Sequence, residues 1–373
     1  MNRKKIHYIC NFDNQDSGYS LNTQASTNSK ASYILHSLVE AGFNVSIHST
    51  AIGKTSVKNK VLFYDNYSIE YLYSIGRKSI IHKILSNILI CVQLVNVWYK
   101  NPKNEPFLLY HSLLTTKIFN ILRKLSHRHM MFIEIEEVYS VVYCLSSKKI
   151  KSEIKMFSKY DGYILVNENI GRLCNINNKS IVCHGIYLPN SLETKFMNGG
   201  RTIILYAGAL NKDMNLAVDV AKLLPSNYHL FILGYGSEDQ IINLKKIEEE
   251  TQKTDCASVE YCGCLFGEEY NSFLNKCNIG LCTRVVDGDE SLYAFPSKIL
   301  AYLSNNLLTI STPLTSIKNS KLKSMVYFST DFSAKSIADA IMIDTKKNTT
   351  INYSEELMKY HEQFISQLRT FFS

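Results

Sequence analysis

Four short motifs in the second half of the chain place glycine or a basic residue directly after an apolar run. They are YAGAL at 206–210, followed by Lys212, LGYGSE at 233–238, VEYCGCL at 259–265 and FPSKILAYL at 295–303. Glycine has no Cβ, so the backbone at Gly208, Gly234, Gly236 and Gly263 can approach a ligand closely. A nearby lysine ammonium favours a phosphate group. The pattern predicts binding of a phosphorylated ligand where these apolar runs end.

The fourth motif carries the strongest signal for an anion. Pro296 suits the first turn of a helix, where backbone N–H groups have no partner within the helix. Those groups, the Ser297 hydroxyl and the Lys298 ammonium would all favour a diphosphate. Arg284 follows the apolar run 279–282 and supplies another cation, and Phe295 precedes the proline. We predict that these five residues bind the same ligand as the glycines.

Acid–base side chains occupy the corresponding positions in the first half. His111 follows an apolar run that begins at Phe107, and Glu136 and Glu137 follow the run 130–135. His111 is a candidate for contact with substrate, with a buried structural histidine as the alternative. The glutamates could orient a hydroxyl or act as a base, or they could be a solvated strand end. A polar stretch at 13–28 adds three further candidates for the acceptor side, which are Gly18, Tyr19 and Asn22.

Strands and helices must alternate along the chain to bring these side chains together. Apolar and β-branched runs predict strands at 5–12, 44–49, 107–111, 130–136 and 163–166, and again at 202–207, 229–233, 258–261, 279–282 and 307–311. Helical periodicity separates them and recurs at 354–372. Gly and Pro in CHGIYLPN, at 183–190, suit a linker. The order predicts two βα domains with ligand sites at the carboxyl ends of parallel strands.

Composition excludes several classes of protein. The 373 residues are 46% hydrophobic and 20% charged, which excludes wholesale disorder. Residues 1–190 hold 23 basic and 12 acidic side chains, whereas 191–373 hold 18 and 21. The basic half predicts an anionic partner or a solvated basic face, and no basic–aromatic repeat indicates nucleic acid. Ten scattered cysteines indicate reduced thiols, and neither Cys262-x-Cys264 nor the acidic residues 287–290 predict a metal site.

Localisation follows from the apolar and basic stretches. The N-terminus lacks the apolar core of a signal peptide. The stretch 84–98 reads as too short and too polar to span a bilayer, so a cytoplasmic protein is expected. That stretch and the lysines of 148–159 also raise peripheral contact with an anionic membrane as a hypothesis.

The motifs together resemble a known family. YAGAL, LGYGSE, VEYCG and FPSKILAYL, followed by LLTIST at 307–312, resemble the nucleotide-binding domain of GT-B glycosyltransferases, particularly the family 4 retaining enzymes of bacterial surface polysaccharide synthesis. LVEAGFNVSIHS at 38–49 and EIEEVYS at 134–140 are similar to the acceptor domain of that group. The resemblance implies an α/β fold of two Rossmann-like domains, 1–187 and 188–352, that face each other across a cleft. A terminal helix, 353–373, would cross back to the N-terminal domain.

The resemblance also implies an activity. The chain would be a retaining, hexosyltransferase-like enzyme that transfers a sugar from a nucleoside diphosphate donor to a lipid-linked saccharide acceptor. Its product would serve bacterial capsule, O-antigen or exopolysaccharide synthesis. A UDP-sugar is the first expectation for the donor, with GDP- and dTDP-sugars as alternatives. No metal or other cofactor is required in this reading, because protein cations and helix N-termini stabilise the leaving diphosphate.

The chain departs from the family at the fourth motif. Family 4 enzymes usually carry two glutamates separated by seven residues, and this sequence has Tyr293 and Ala301 at those positions. Asp289 and Glu290 lie upstream at a different spacing. The family's arginine after the first strand is matched by Ala209, which leaves Lys212 as the nearest cation. Two alternatives to a transferase therefore stay open, a GT-B sugar-nucleotide epimerase and a catalytically degenerate binding subunit.

Overall fold

The computed structural model describes residues 3–176, 179–193, 195–196, 200–285, 290–293, 295–345 and 350–373. Contacts divide the chain into two compact units. Unit 1 comprises residues 1–186 and 362–373, and unit 2 comprises residues 187–361. Each unit is built around a largely parallel sheet with helices in the crossovers.

The described part of unit 1 forms an eight-stranded sheet in the order β3-β4-β2-β1-β5-β6-β7-β8. Its strands pair in parallel except for β3 with β4. The strands and helices are β1 (Lys5–Cys10), α1 (Ala25–Glu40), β2 (Asn44–Ser49), β3 (Lys60–Phe63), β4 (Tyr67–Tyr71), α2 (Ile80–Lys100), β5 (Phe107–Tyr110), α3 (Leu113–Leu125), β6 (Met131–Ile135), α4 (Tyr139–Val142), α5 (Ser147–Phe157), β7 (Gly162–Leu165), α6 (Glu168–Leu173) and β8 (Ser180–Val182).

The central strands of unit 1 are apolar because helices cover both faces of the sheet. Every residue of β6 and of β7 is buried. Phe132 of β6 packs against the end of the chain, with ring centroids 5.0 Å from Phe371 and 4.5 Å from Phe372. Phe364 stacks on Tyr33 of α1 at 5.9 Å. These contacts explain why residues 362–373 belong to unit 1.

The described part of unit 2 holds a six-stranded parallel sheet in the order β12-β11-β10-β13-β14-β15, and β16 pairs with β9 in a two-stranded antiparallel sheet. Its strands and helices are β9 (Lys195–Phe196), β10 (Thr202–Ala207), α7 (Lys212–Leu223), β11 (Tyr228–Leu233), α8 (Glu238–Thr251), β12 (Ser258–Tyr261), α9 (Gly267–Asn275), β13 (Ile279–Cys282), α10 (Glu290–Tyr293), α11 (Lys298–Leu303), β14 (Leu308–Ser311), α12 (Thr315–Lys318), β15 (Val326–Phe328), α13 (Ala334–Thr345), β16 (Thr350–Ile351) and α14 (Ser354–Phe371), which ends in unit 1.

Two sequence-based expectations about helices need correction. The polar stretch 13–28 is not all loop, because α1 begins at Ala25 and the residues Gln15–Ser17 form a short 3-10 helix. Pro296 does not lie in the first turn of a helix. Ile299 N donates to Pro296 O in a turn, Ser297 is the N-cap, and α11 begins at Lys298. Because α11 is short and begins after the proline, it offers fewer unpaired backbone N–H groups to an anion than the motif predicts.

Candidate functional site

The glycine motifs of unit 2 converge at the carboxyl ends of β10, β11 and β12. Gly208 N donates to Leu233 O at 2.9 Å, and Gly234 N donates to Gly263 O at 2.8 Å. A Cβ on Gly234 would lie 1.7 Å from Gly208 O, so the two backbones approach as closely as glycine alone permits. Parallel pairing of β10 with both neighbours positions these turns side by side. The structure thus joins three of the four motifs into one surface.

The fourth motif delivers a lysine to the same surface. Lys298 Nζ lies 4.1 Å from the centroid of the Tyr206 ring and 3.1 Å from where a Gly208 Cβ would be. Burial lowers the pKa of Lys298, and repulsion from Arg284 acts in the same direction, while attraction to Cys282 and Asp213 opposes them. We call Tyr206, Gly208, Gly234, Arg284 and Lys298 the Lys298 site.

The loop that carries Arg284 is tied to α7. Asp213 is buried, and its Oδ1 accepts from Val285 N at 2.9 Å. Its backbone oxygen accepts from Thr283 Oγ1 at 2.5 Å, and Arg284 O accepts from Thr312 Oγ1 at 2.9 Å. These bonds fix the loop on both sides of Arg284. Two cations near glycine backbones can hold a dianionic phosphate group.

The remaining predicted residues of unit 2 lie around this site. Lys212 is exposed at the start of α7. Gly236 precedes α8, which Ser237 and Gln240 cap, and a Cβ on Gly236 would lie 2.7 Å from Leu210 Cβ. Phe295 is half-buried and Ser297 is exposed. Asp287 and Asp289 lie outside the described residues, as does the side chain of Glu290, and Ala301 packs against the core around Tyr302.

His111 is a buried structural link in unit 1. Its Nδ1 lies 2.8 Å from Thr116 Oγ1 and its Nε2 lies 2.9 Å from Glu153 Oε1. Glu153 also accepts from Ser140 N at 2.7 Å and from Tyr139 N at 2.9 Å. Burial acts to raise the pKa of Glu153, but the bonds from His111 and Ser140 outweigh it and lower the pKa. Because both ring nitrogens are engaged, the geometry favours the structural alternative for His111.

A buried carboxylate cluster lies at the end of β6. We define it as Tyr8, Lys30, Glu134 and Glu136. Lys30 Nζ lies 3.3 Å from Glu136 Oε1 and donates to the backbone oxygen of Cys183 at 2.6 Å. Tyr8 Oη donates to Glu134 Oε2 at 2.5 Å. Glu136, whose side chain is 19% exposed, is the member that solvent can reach, whereas Glu134 is fully buried.

Burial perturbs the pKa of Glu134, the inner glutamate of the cluster. Burial, with repulsion from Glu136, raises the pKa of Glu134 to about 8, although Lys30 and Tyr8 oppose the shift. Burial alone would lower the pKa of Lys30, but attraction from Glu136 and Glu134 contributes to a net rise, so Lys30 stays charged. The raised pKa favours the neutral form of Glu134 beside the Lys30–Glu136 ion pair. Sequence reasoning missed Glu134, although its i, i+2 spacing from Glu136 places both on one face of the strand.

The other predicted residues of unit 1 do not join this cluster through any described contact. Glu137 is exposed. Tyr19 Oη donates to Lys58 O at 3.2 Å, and its ring packs edge-on against Tyr71 at 6.0 Å. Asn22 N donates to Ile52 O, and Gly18 ends the short 3-10 helix with a φ of 71°. The loop after β1 is therefore held by the segment between β2 and β3 and by β4.

Glu134 gives a testable pH dependence. The folded state holds a proton on Glu134 that the unfolded state releases above its ordinary pKa, so the free energy of unfolding falls as pH rises through that window. From about pH 5 to 8.5 we expect a loss of roughly 4 kcal/mol, since one pK unit is worth about 1.4 kcal/mol. Glu134→Gln mimics the neutral carboxyl and should lack this loss. Urea unfolding at both pH values measures it, and parallel losses in the two proteins would contradict the assignment.

Among the described residues, no group of three or more His, Cys, Asp or Glu side chains is arranged to hold a metal ion. The sites described above are formed by lysine, arginine, glutamate, tyrosine and backbone groups.

Comparison with known proteins identifies the fold. No protein-family model matches the sequence, and no curated protein matches it. Solved structures do match over nearly the whole chain. Sucrose-phosphate synthase from Thermosynechococcus elongatus has a TM-score of 0.65 at 12% identity and covers 100% of this chain and 95% of its own. An Escherichia coli trehalose-6-phosphate protein bound with UDP-2-fluoro glucose has a TM-score of 0.65 at 11% identity, with 98% and 99% covered.

A third structure shows the same relationship. An α,α-trehalose-phosphate synthase (UDP-forming) from Burkholderia xenovorans, in complex with glucose-6-phosphate, has a TM-score of 0.66 at 10% identity, with 99% of this chain and 96% of that chain covered. These proteins and the two parallel sheets described above establish a GT-B fold of two Rossmann-like domains for this chain.

Proposed function

We propose that the protein is a glycosyltransferase that moves a sugar from a nucleoside diphosphate donor to a saccharide acceptor. The observation that carries the proposal is the Lys298 site, where a lysine from the fourth motif meets the glycine turns of β10 and β11. In open α/β sheets, ligands bind at the carboxyl ends of the strands. Two structural neighbours, one bound with UDP-2-fluoro glucose and one UDP-forming, support UDP as the donor nucleotide.

The proposed chemistry assigns one role to each site. Breaking the bond between the sugar and the diphosphate leaves negative charge on the diphosphate, and fixed cations stabilise that charge best. Lys298 and Arg284 perform this role, so we propose no requirement for a metal ion. Glu136 orients the acceptor hydroxyl, with Lys30 holding its carboxylate and Glu134 neutral behind it. The anomeric configuration is retained if the chain follows the family 4 enzymes that its motifs resemble.

We further propose a lipid-linked saccharide acceptor and a role in bacterial capsule, O-antigen or exopolysaccharide synthesis. The support is the sequence resemblance and the basic excess of residues 1–190. An acceptor carrying a phosphate fits that charge, and a glucose-6-phosphate complex exists for one structural neighbour. A catalytically degenerate binding subunit is the second candidate, because Tyr293 and Ala301 replace the usual glutamates. An epimerase would consume the donor without an acceptor.

A thermal-shift panel tests donor binding. UDP-, GDP-, dTDP- and CMP-sugars are each added at about 100 times the expected Kd, which stabilises a binding protein by about 2.7 kcal/mol. One nucleotide class should raise the melting temperature by roughly 5 °C, given about 2–4 °C per kcal/mol for domains of this size. Lys298→Met should lose that shift, while the control Lys245→Met, on the exposed surface of α8, should keep it. A flat response to every class would contradict the site assignment.

A further inference from the structure

Helix α2 presents a second apolar face that unit 1 does not cover. Its inner face packs into the unit through buried residues that include Ile90, Leu94 and Trp98. The outer face carries large apolar side chains that are 37–79% exposed, namely Ile80, Ile81, Ile84, Leu85, Ile88, Val92, Val95 and Tyr99. At 100° per residue, all of these except Ile80 fall within an arc of about 100° on the side opposite the buried residues. We call these eight residues the α2 face.

The length of α2 corrects one expectation from the sequence. Among the described residues, α2 is the helix that is long and apolar enough to cross a membrane. Only 22% of its most apolar 18-residue segment is buried. The stretch 84–98 suggested a segment too short for this. Nevertheless α2 forms the crossover between β4 and β5 and packs beside α3 in unit 1. A helix held in a sheet crossover can lie along a bilayer surface without leaving the fold.

The charges around the α2 face have one sign. From residue 71 to residue 104 the sequence contains five basic residues and no aspartate or glutamate. Arg77 and Lys78 precede the helix, Lys83 lies in its first turn, and Lys100 and Lys103 lie at its other end. All five are exposed. An apolar strip bordered at both ends by cations complements an anionic lipid surface, which offers phosphate groups above an apolar layer.

The same charges disfavour a second copy of the chain as the occupant. A two-fold contact through the α2 face would bring basic ends against basic ends, whether the two helices ran parallel or antiparallel. Like charges placed together across an interface cost free energy. An apolar surface this extended is unusual on a protein that meets only water.

Two neighbouring helices of unit 1 also expose apolar and basic side chains. Helix α3 packs against α2 and exposes Leu114, Lys117, Ile121 and Leu125 on one face. Helix α5 packs against α3 and exposes its lysines, which are Lys148, Lys149, Lys151 and Lys155. The apolar strip is therefore followed by a mixed helix and then by a basic one, all in one unit.

We infer that the α2 face is a membrane-docking surface that lies in the headgroup region of an anionic lipid bilayer, with Arg77, Lys78, Lys100 and Lys103 on lipid phosphates. This deepens the proposed function and rests on it in one respect, because a lipid-linked acceptor gives the enzyme a reason to be at the bilayer. Binding itself requires neither donor nor acceptor. It can therefore fail while sugar transfer to a soluble acceptor persists, and it can succeed in a protein that transfers nothing.

Vesicle flotation of the full chain tests the inference. Vesicles of phosphatidylcholine alone are compared with vesicles containing about 30% phosphatidylglycerol, at low and high salt. We expect binding to the anionic vesicles that is at least about tenfold tighter than to the neutral ones and that weakens with salt. Replacing Arg77, Lys78, Lys100 and Lys103 with glutamine should remove this preference. Absence of binding to anionic vesicles would overturn the inference.

Matched variants distinguish binding through the α2 face from nonspecific hydrophobic adsorption to vesicles. The triple change Ile84→Ser, Ile88→Ser and Val92→Ser should weaken binding by roughly 100-fold, because three aliphatic side chains no longer enter the bilayer. The control replaces three exposed aliphatic residues of unit 2 helices with serine, namely Leu223, Ile242 and Ile343. It should bind as the parent does. Equal losses in the two variants would overturn the assignment to α2.

Sedimentation velocity decides between a bilayer and a second copy. The parent protein and the triple serine variant should sediment at the same rate. Identical circular dichroism spectra of the two proteins will show that the variant is folded. A parent dimer that this variant converts to a monomer would identify the α2 face as a contact between copies and overturn the membrane assignment.

Discussion

Replacing Lys298 with methionine is expected to lower kcat/KM for sugar transfer by about 10²–10³-fold, the usual loss when one preorganised charge-stabilising group is removed. Methionine preserves the apolar stem over the Tyr206 ring and removes the ammonium, which lies 4.1 Å from that ring. The proposed role of the ammonium is to stabilise the leaving diphosphate, so kcat should fall together with affinity for the nucleoside diphosphate. Steady-state kinetics and calorimetry measure the two effects.

Controls distinguish a lost charge from a disturbed fold. Lys298→Arg retains the charge and should recover part of the activity, although the planar guanidinium differs in shape from an ammonium. Lys245→Met, on the exposed surface of α8, should leave kcat/KM unchanged. Parental kcat/KM in Lys298→Met would show that the diphosphate binds elsewhere.

Replacing Gly234 with alanine is expected to destabilise the protein by about 4 kcal/mol or more, or to prevent it from folding. The new Cβ would lie 1.7 Å from Gly208 O and 2.9 Å from Gly208 C, so backbone must collide with backbone. No rotation of a side chain can relieve that contact. The ends of β10 and β11 would have to separate, and the Lys298 site lies on them.

Gly263→Ala provides the matched control for this change. Gly263 also has a positive φ, 77°, but nothing lies within 4 Å of its Cβ position. Only the left-handed backbone should be penalised, by about 1–2 kcal/mol. Thermal unfolding should therefore show a fall of roughly 10 °C or more for Gly234→Ala and a few degrees for Gly263→Ala. Equal shifts would mean that the close approach of Gly208 and Gly234 does not matter.

Local sequence patterns were sufficient to predict the buried strands. The runs 202–207 and 279–282 were predicted with the bounds that β10 and β13 have, because a strand covered on both faces is apolar throughout. The pair β3 and β4 was not predicted. The residues of β3 alternate in exposure and Phe63 is 81% exposed, so its short apolar run is not a buried strand of the kind that the patterns detect. In the described sheet, β3 is an edge strand and pairs only with β4, and this pairing is not visible in either segment alone.

Some residues of the candidate sites could likewise be predicted from local sequence, and others could not. Gly208, Gly234 and Lys298 were proposed from motifs, because the two glycines directly follow strands and Lys298 begins a helix, and local sequence indicates such positions. The carboxylate cluster depends on partners that are distant in sequence, since Tyr8 and Lys30 meet Glu134 and Glu136 only after the sheet forms. His111 was a candidate for substrate contact because it follows a strand, and its partner Glu153 on α5 is too distant in sequence to be recognised beforehand. Contacts across long sequence separations thus decide which titratable residues are structural.

The charge of short segments likewise says more about candidate binding surfaces than the net charge of each half of the chain. Residues 1–190 are strongly basic, yet the Lys298 site lies in unit 2, where a few fixed cations suffice. The basic residues of 71–104 surround an apolar helix face instead. The position of charges in the fold, which the totals for each half do not contain, separates the proposed nucleotide site from the proposed lipid-facing surface.

Product formation tests the central claim most directly. The protein is incubated with the sugar nucleotide that binds best and with a membrane lipid extract, and nuclear magnetic resonance follows both the nucleoside diphosphate and new anomeric signals. A glycosyltransferase releases one nucleoside diphosphate for each new glycosidic linkage, and only when the acceptor is present. Consumption of donor without acceptor, or binding of donor with no consumption, would contradict the proposed activity and favour an epimerase or a binding subunit respectively.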